Sequence, residues 1–139
     1  MTTVTVPIHF RTGRSGHRSI QAGPEPTPPP GRVPRAARLM ALAIRLEGLI
    51  QDGGVSTQAE LAEVGHVTRA RVTQIMNLLH LAPDIQEALL DLPRVVEGKD
   101  PVTERDLRPI AAEIDWDVQR AMWRALLLNT ASREHQHTA

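Results

Sequence analysis

Three things are scarce in this chain of 139 residues, and each scarcity excludes a class of protein. There is no cysteine, which excludes disulfides, thiolate zinc sites and a cysteine nucleophile. Only Phe10, Trp116 and Trp123 are aromatic, so aliphatic side chains must fill the core. No run approaches the ~18 apolar residues of a membrane span, and the N-terminus lacks the apolar segment of a signal peptide. We therefore expect a single cytoplasmic domain with no membrane partner.

No arrangement of residues in the sequence predicts an enzyme or a metalloprotein. His135 and His137 lie near the C-terminus without a carboxylate at metal-ligand spacing. Ser56 and Ser132 lack a nucleophile motif, and GRSG at 13–16 is shorter than a phosphate-binding loop. We expect no catalytic residue, no metal site and no cofactor.

Positive and negative charges balance overall, but they are separated along the chain. Residues 1–38 contain six arginines and a single acidic residue, Glu25. Residues 39–139 contain ten basic and fifteen acidic residues. A basic segment ahead of an acidic body suits contact with phosphate groups, although a merely solvated tail would have the same composition.

Residues 1–34 are predicted to form an extended, largely disordered arm. The stretch AGPEPTPPPGRVP, 22–34, holds six of the eleven prolines, which excludes a helix or a central strand. Before it, apolar residues occupy every second position from Val4 to Phe10, the period of a strand, but Pro7 limits this strand to a sheet edge. One isolated strand is not stable, so the segment is either disordered or paired with a partner chain.

The remaining sequence predicts an all-α fold of about six helices over 35–128, followed by a fraying tail at 129–139. Apolar residues recur at helical spacing in each predicted helix. The predicted helices are 35–51, 58–64, 69–80, one between Pro83 and Pro93, one starting at Thr103 with Asp106, and one capped by Asp115. Pro109 should kink the fifth helix or restart it. The residues expected to anchor the last helix in the core are Trp116, Trp123, Leu126 and Leu127.

Two of the predicted helices, joined by a short break, have the pattern of a helix-turn-helix at about 57–81. Thr57 with Glu60 forms a capping-box pattern at the start of the first, and Thr68 caps the second. A helical wheel separates the second helix into an apolar side and a polar side. The apolar side consists of Val72, Ile75, Met76 and Leu79.

The polar side carries the residue types that contact bases in the major groove of DNA. Arg bonds guanine, Gln and Asn bond adenine, and Thr meets a base edge or the thymine methyl. We assign base contacts to Arg69, Ala70, Thr73, Gln74 and Asn77, where the small Ala70 allows close approach. We assign phosphate contacts to Gln58, Thr68 and Arg71, and arm contacts in a minor groove to Arg11, Arg14, Arg18, Arg32 and Arg35. The absence of acidic residues from Val64 to Ala82 favours DNA over a merely solvated helix face.

The segment TQAELAEVGHVTRARVTQIMNLLHL resembles the helix-turn-helix of the ParB and KorB family of partition proteins. APDIQEALLDL and VVEGKDPVTERDLRPIAAEIDWDVQRAMWRAL resemble the helices that follow, so the resemblance runs from near Leu39 to Leu126. It implies double-stranded DNA as the partner and a place near the nucleoid. The family's large nucleotide-binding domain and dimerising C-terminal domain have no counterpart here, so only the DNA-binding core is implied. More loosely, GHVTRARVTQIMNLL followed by LAPDIQE resembles small helix-turn-helix proteins found beside serine recombinases on mobile elements.

The turn departs from the family's common pattern, in which glycine follows an alanine by four residues because the turn requires a positive φ. Here Ala62 is followed at that distance by His66, and Gly65 lies one residue earlier. Histidine tolerates a left-handed conformation better than branched residues do. Either His66 adopts it, or Gly65 does and the turn is reshaped. A structural role for His66 is favoured over a phosphate contact.

Two hypotheses therefore remain. The first is a non-enzymatic DNA-binding protein, a regulator or accessory factor at a mobile element or partition locus. Since a single helix-turn-helix usually needs help, it would act as a homodimer or use the arm. The alternative is a helical adaptor that binds another protein, for example a recombinase, through an apolar groove between its last helices. The acidic body and the two tryptophans favour the adaptor.

Overall fold

The structure, a computed structural model, describes residues 2–12, 18–24 and 30–136. The chain forms two compact units, which we call the hairpin unit, up to Pro30, and the helical unit, from Gly31 onward. Within the described ranges the hairpin unit holds two strands and the helical unit six α-helices. The predicted helical fold is therefore confirmed in outline, and the prediction of an all-α protein was wrong about the small sheet.

The sheet is an antiparallel pair of strands, β1 (Ile8–Thr12) and β2 (Arg18–Ala22). The predicted strand is thus neither disordered nor dependent on a partner chain, because it pairs with a second strand of its own chain. That second strand, RSIQA, has too few apolar residues for an alternating pattern to be visible in the sequence. The pairing extends beyond the strands, since the Gly23 N–H donates to the Pro7 carbonyl at 2.8 Å.

The six helices lie where the sequence predicts them, with differences at their ends. They are α1 (Arg35–Gln51), α2 (Gln58–Val64), α3 (Arg69–Met76), α4 (Pro83–Leu90), α5 (Glu104–Ala112) and α6 (Trp116–Gln136). The threonines predicted to cap α2, α3 and α5 each accept a backbone hydrogen bond: Thr57, Thr68 and Thr103. None of the helices in the described part of the chain is long and apolar enough to cross a membrane.

Three helices differ from the prediction. The last predicted turn of α3 is a 3₁₀ segment, Asn77–His80. Helix α5 continues through Pro109 rather than restarting there. Helix α6 continues to Gln136, so the predicted fraying from residue 129 is wrong up to that point. The polar composition of this last stretch does not prevent a helix that is already nucleated from propagating.

Two clusters of buried side chains form the core of the helical unit. The larger joins α1, α4, α5 and Trp123, and the smaller joins the inner sides of α2 and α3. Leu46 of α1 and Leu79 of the 3₁₀ segment pack against both clusters. Of the predicted anchors of α6, Trp123 is buried, whereas Trp116 and Leu127 are 48% and 38% exposed. Those two predictions were wrong because the buried side of α6 is narrower than its apolar composition suggests.

A buried glutamine fastens α6 to the rest of the helical unit. Gln119 is fully buried, and its Oε1 accepts from the Ala82 N–H at 2.8 Å. Its Nε2 donates to the carbonyls of His80 at 3.0 Å and Glu113 at 2.7 Å. The three partners are backbone groups at the end of the 3₁₀ segment, the start of α4 and the end of α5, so the side chain ties α6 to a junction of three elements.

Candidate nucleic-acid interface

The break between α2 and α3 is a tight turn built on a left-handed histidine. Gly65 has φ −81° and ψ −2°, whereas His66 has φ 53°. The His66 N–H donates to the Glu63 carbonyl at 3.3 Å, and the Val67 N–H donates to the Ala62 carbonyl at 3.0 Å. This pair of bonds is a Schellman motif, which usually has glycine at the left-handed position. Of the two alternatives for the turn, the structure adopts the one with His66.

Helix α1 ends with the same motif and has glycine at that position. Gly53 has φ 77°, its N–H donates to Ile50, and the Gly54 N–H donates to Leu49. The two endings show that the turn geometry, not the residue at its centre, is what the fold requires. His66 therefore holds, without being glycine, the left-handed position that this turn requires.

The turn places α3 with its apolar side inward and its polar side in solvent. Val72, Ile75 and Met76 are buried, and Val72 and Met76 pack with Leu61 and Ala62 of α2. All five residues assigned to bases are exposed: Arg69, Ala70, Thr73, Gln74 and Asn77. The first four lie on α3, and Asn77 begins the 3₁₀ segment.

The three residues assigned to phosphates have different surroundings. Gln58, the first residue of α2, is exposed, and its Oε1 lies 3.5 Å from the hydroxyl of Thr73 across the turn. Thr68 is exposed, and its hydroxyl oxygen accepts from the Arg71 N–H at 3.1 Å as the cap of α3. Both side chains therefore lie beside the exposed side of α3.

Arg71 is paired with a carboxylate. Its guanidinium donates to both oxygens of Glu104, the first residue of α5, at 2.6 and 3.2 Å, and to Gln74 at 3.3 Å. These donated hydrogen bonds hold the pKa of Glu104 below its ordinary value, against the opposing effect of burial. The pair joins α3 to α5, so the structure gives Arg71 a positioning role that the predicted phosphate contact did not include. No pattern in the sequence links residues 33 positions apart in this way.

The arginines assigned to the arm do not form one group. Arg11 lies on β1 and Arg18 on β2, both exposed, while Arg14 lies outside the described residues. Arg32 and Arg35 belong to the helical unit, where the Arg32 guanidinium and the Arg35 N–H both bond to Asp100. These two bonds lower the pKa of Asp100 from its ordinary value, and the bond from the Arg35 N–H has the larger effect. Arg32 is therefore not part of an arm.

A groove of about 670 Å³ lies beside the exposed side of α3. It runs between the 3₁₀ segment and the end of α5, and its lining includes Gln74, Asn77 and Arg108. Ile114 and Trp116 also line it, and they are 93% and 48% exposed. The adaptor hypothesis placed an apolar groove between the last helices; this groove also involves the 3₁₀ segment, and it is lined by Trp116, which was expected in the core.

Within the described ranges, no group of three or more His, Asp or Glu residues is arranged to hold a metal ion. Comparisons with models of protein families, with curated proteins and with solved structures find nothing that matches this chain.

Proposed function

We propose that this protein binds double-stranded DNA without catalysis and inserts α3 into the major groove. The observation that carries the proposal is the turn at His66. It places the apolar side of α3 in the core and leaves a side rich in hydrogen-bonding groups exposed to solvent. Arg69 offers a pair of donors that suits guanine O6 and N7, and Gln74 and Asn77 each offer a donor and an acceptor that suit adenine, with Thr73 beside them. No acidic residue lies between Val64 and Ala82 in the sequence, and the carboxylate of Glu104, which contacts α3, is paired with Arg71.

The other residues around α3 have supporting roles in this proposal. Gln58 and Thr68 contact phosphates on either side of the turn, and Ala70 leaves space for the helix to approach the bases. Arg71 holds α3 against Glu104 and so fixes the angle at which the helix meets the groove. The resemblance to the ParB and KorB family suggests the setting, a partition or mobile-element locus in the cytoplasm where the protein acts as a regulator or accessory factor.

The test is a binding titration with full-length protein and a DNA site selected from random sequence. Arg69→Ala with Gln74→Ala should weaken binding by about 1 to 3 kcal/mol for each bidentate bond to a base that the substitutions remove. The matched control is Arg124→Ala with Gln136→Ala, which removes the same charge and amide from exposed positions on α6. Equal affinity of both variants for the site would refute the role of α3. The selected site also reports half-site spacing, and hence whether two copies bind.

The alternative, a helical adaptor for a protein such as a recombinase, is favoured by one observation. The groove beside α3 exposes Ile114 and Trp116, two apolar side chains that are costly to leave in water. If the protein is only an adaptor, it will show no salt-dependent binding to duplex DNA, because phosphate contacts release counterions. A log–log salt titration of the same complex decides between the two proposals.

A further inference from the structure

The hairpin unit has two chemically distinct faces. Paired residues of antiparallel strands lie on the same face, and faces alternate along each strand. One face carries Ile8 and the pair Phe10 and Ile20, which are 55%, 64% and 64% exposed. The other face carries two polar pairs, His9 with Gln21 and Arg11 with Ser19.

The four polar side chains form a compact hydrogen-bonding surface. Arg11, Ser19 and Gln21 are exposed, and His9 is partly buried. The Nδ1 of His9 lies 3.1 Å from the Gly23 carbonyl, which can only accept, so Nδ1 carries the proton and Nε2 of the neutral ring remains an acceptor. The face therefore combines a guanidinium, an amide, a hydroxyl and a ring nitrogen.

We propose that this polar face is a second base-contacting element, which enters the major groove of duplex DNA. This inference rests on the proposed function, since it requires that the protein binds duplex DNA. A two-stranded ribbon fits the major groove, which is about 12 Å wide and displays a distinct pattern of donors and acceptors for each base pair. This geometry replaces the minor-groove contact predicted for an extended arm.

The side chains and the charge both match that groove. Arg11 has the geometry to bond guanine O6 and N7, Gln21 to bond adenine N6 and N7, and Ser19 to bond either base edge. No acidic residue precedes Glu25 in the sequence, so nothing in this segment opposes the phosphates. Arg18 lies on the apolar face, opposite Thr12, and contacts at most the sugar-phosphate backbone in this orientation.

The experiment measures the affinity and base preference of full-length protein on the DNA site selected from random sequence. Arg11→Ala and Gln21→Ala should each weaken binding by about 5- to 150-fold and relax the base preference. The base pairs affected should differ from those affected by Arg69→Ala with Gln74→Ala. Arg11→Lys should keep the salt dependence but lose the guanine preference, because lysine keeps the charge without the planar fork.

The matched control is Arg18→Ala, which removes the same charge from the other face. It should weaken binding to all sequences alike and leave the base preference unchanged. Equal, sequence-independent losses for Arg11→Ala and Arg18→Ala would overturn the proposal in favour of a purely electrostatic arm. Loss of base preference in the α3 variant, with none in the Arg11 and Gln21 variants, overturns the hairpin proposal alone. No binding of the wild-type protein to any duplex overturns both proposals.

Discussion

His66→Gly should make the protein more stable. His66 has φ 53°, a conformation that costs an ordinary L-residue roughly 1–2 kcal/mol, although histidine tolerates it better than most. Glycine removes that cost but loses more backbone entropy on folding, by ~0.5–1 kcal/mol. We expect a net gain of about 0.5 kcal/mol in the free energy of unfolding. The imidazole makes no hydrogen bond to any described residue, so its removal costs nothing further.

Two further substitutions at the same position separate the backbone from the side chain. His66→Ala keeps a Cβ atom without the imidazole, and it should lower the free energy of unfolding by about 0.5 kcal/mol because alanine tolerates positive φ less well. His66→Val should lower it by about 1 to 2 kcal/mol, since a β-branched residue is a strong outlier there. Urea denaturation with a common slope gives all three values.

The order of the variants' free energies of unfolding shows whether residue 66 has a positive φ. A left-handed backbone at position 66 requires the free energy of unfolding to descend from glycine through histidine and alanine to valine, as Gly53 at the same position of the α1 ending suggests. If the alanine variant is as stable as the glycine variant or more stable, position 66 does not have a positive φ and the turn is not built on a left-handed residue. All variants except valine should bind the selected DNA site as wild type does, since the imidazole is assigned no contact.

Three other outcomes follow from the helical unit. Glu104→Gln should cost about 1 to 2 kcal/mol at neutral pH, because the bonds from Arg71 lose their charge. Because folding lowers the pKa of Glu104, this carboxylate stabilises the folded protein fully above its unfolded pKa. The stabilisation is lost as the pH falls through the folded pKa. The free energies of unfolding of the two proteins, measured in urea, should therefore converge in acid. Gln119→Leu should cost about 3 kcal/mol by removing the hydrogen bonds to the Ala82 N–H and to the carbonyls of His80 and Glu113, and a loss under ~1 kcal/mol would contradict this. Trp123→Ala should lower the free energy of unfolding by about 3–5 kcal/mol and Trp116→Ala by less than ~1 kcal/mol, because only Trp123 of the two is buried; thermal melts should show the same order of midpoints.

Local signals in the sequence were enough to locate most of the fold. The capping threonines, Pro83 and the double glycine after α1 each act within a few residues, so their effects are visible in the sequence. The hairpin was missed because strand pairing joins segments whose individual patterns are weak. The 3₁₀ ending of α3 was missed because the apolar spacing continues unchanged through Leu78 and Leu79.

The exposed side of α3 was predictable because an amphipathic helix has only one side to bury. The contacts that hold the helices of this region together were not predictable. Glu104 reaches Arg71, and Gln119 reaches Ala82, across large separations along the chain. Such contacts depend on how helices cross, which composition and periodicity do not specify. For the same reason Trp116 was placed in the core, although it lies at the first turn of α6 where the helix has only begun to pack.

In the proposed complex with DNA, the shortness of α3 limits how many base pairs one copy of the protein can contact. Eight residues of α-helix span about 12 Å, the length of about four base-pair steps. A given sequence of four base pairs recurs by chance on the order of once in a few hundred base pairs, whereas a genome offers roughly 10⁶ or more competing positions. A binding site that is unique among so many positions must specify about ten base pairs. In the proposed complex α3 therefore contacts only part of the binding site, and the remaining base pairs must be contacted by the hairpin or by additional copies bound nearby.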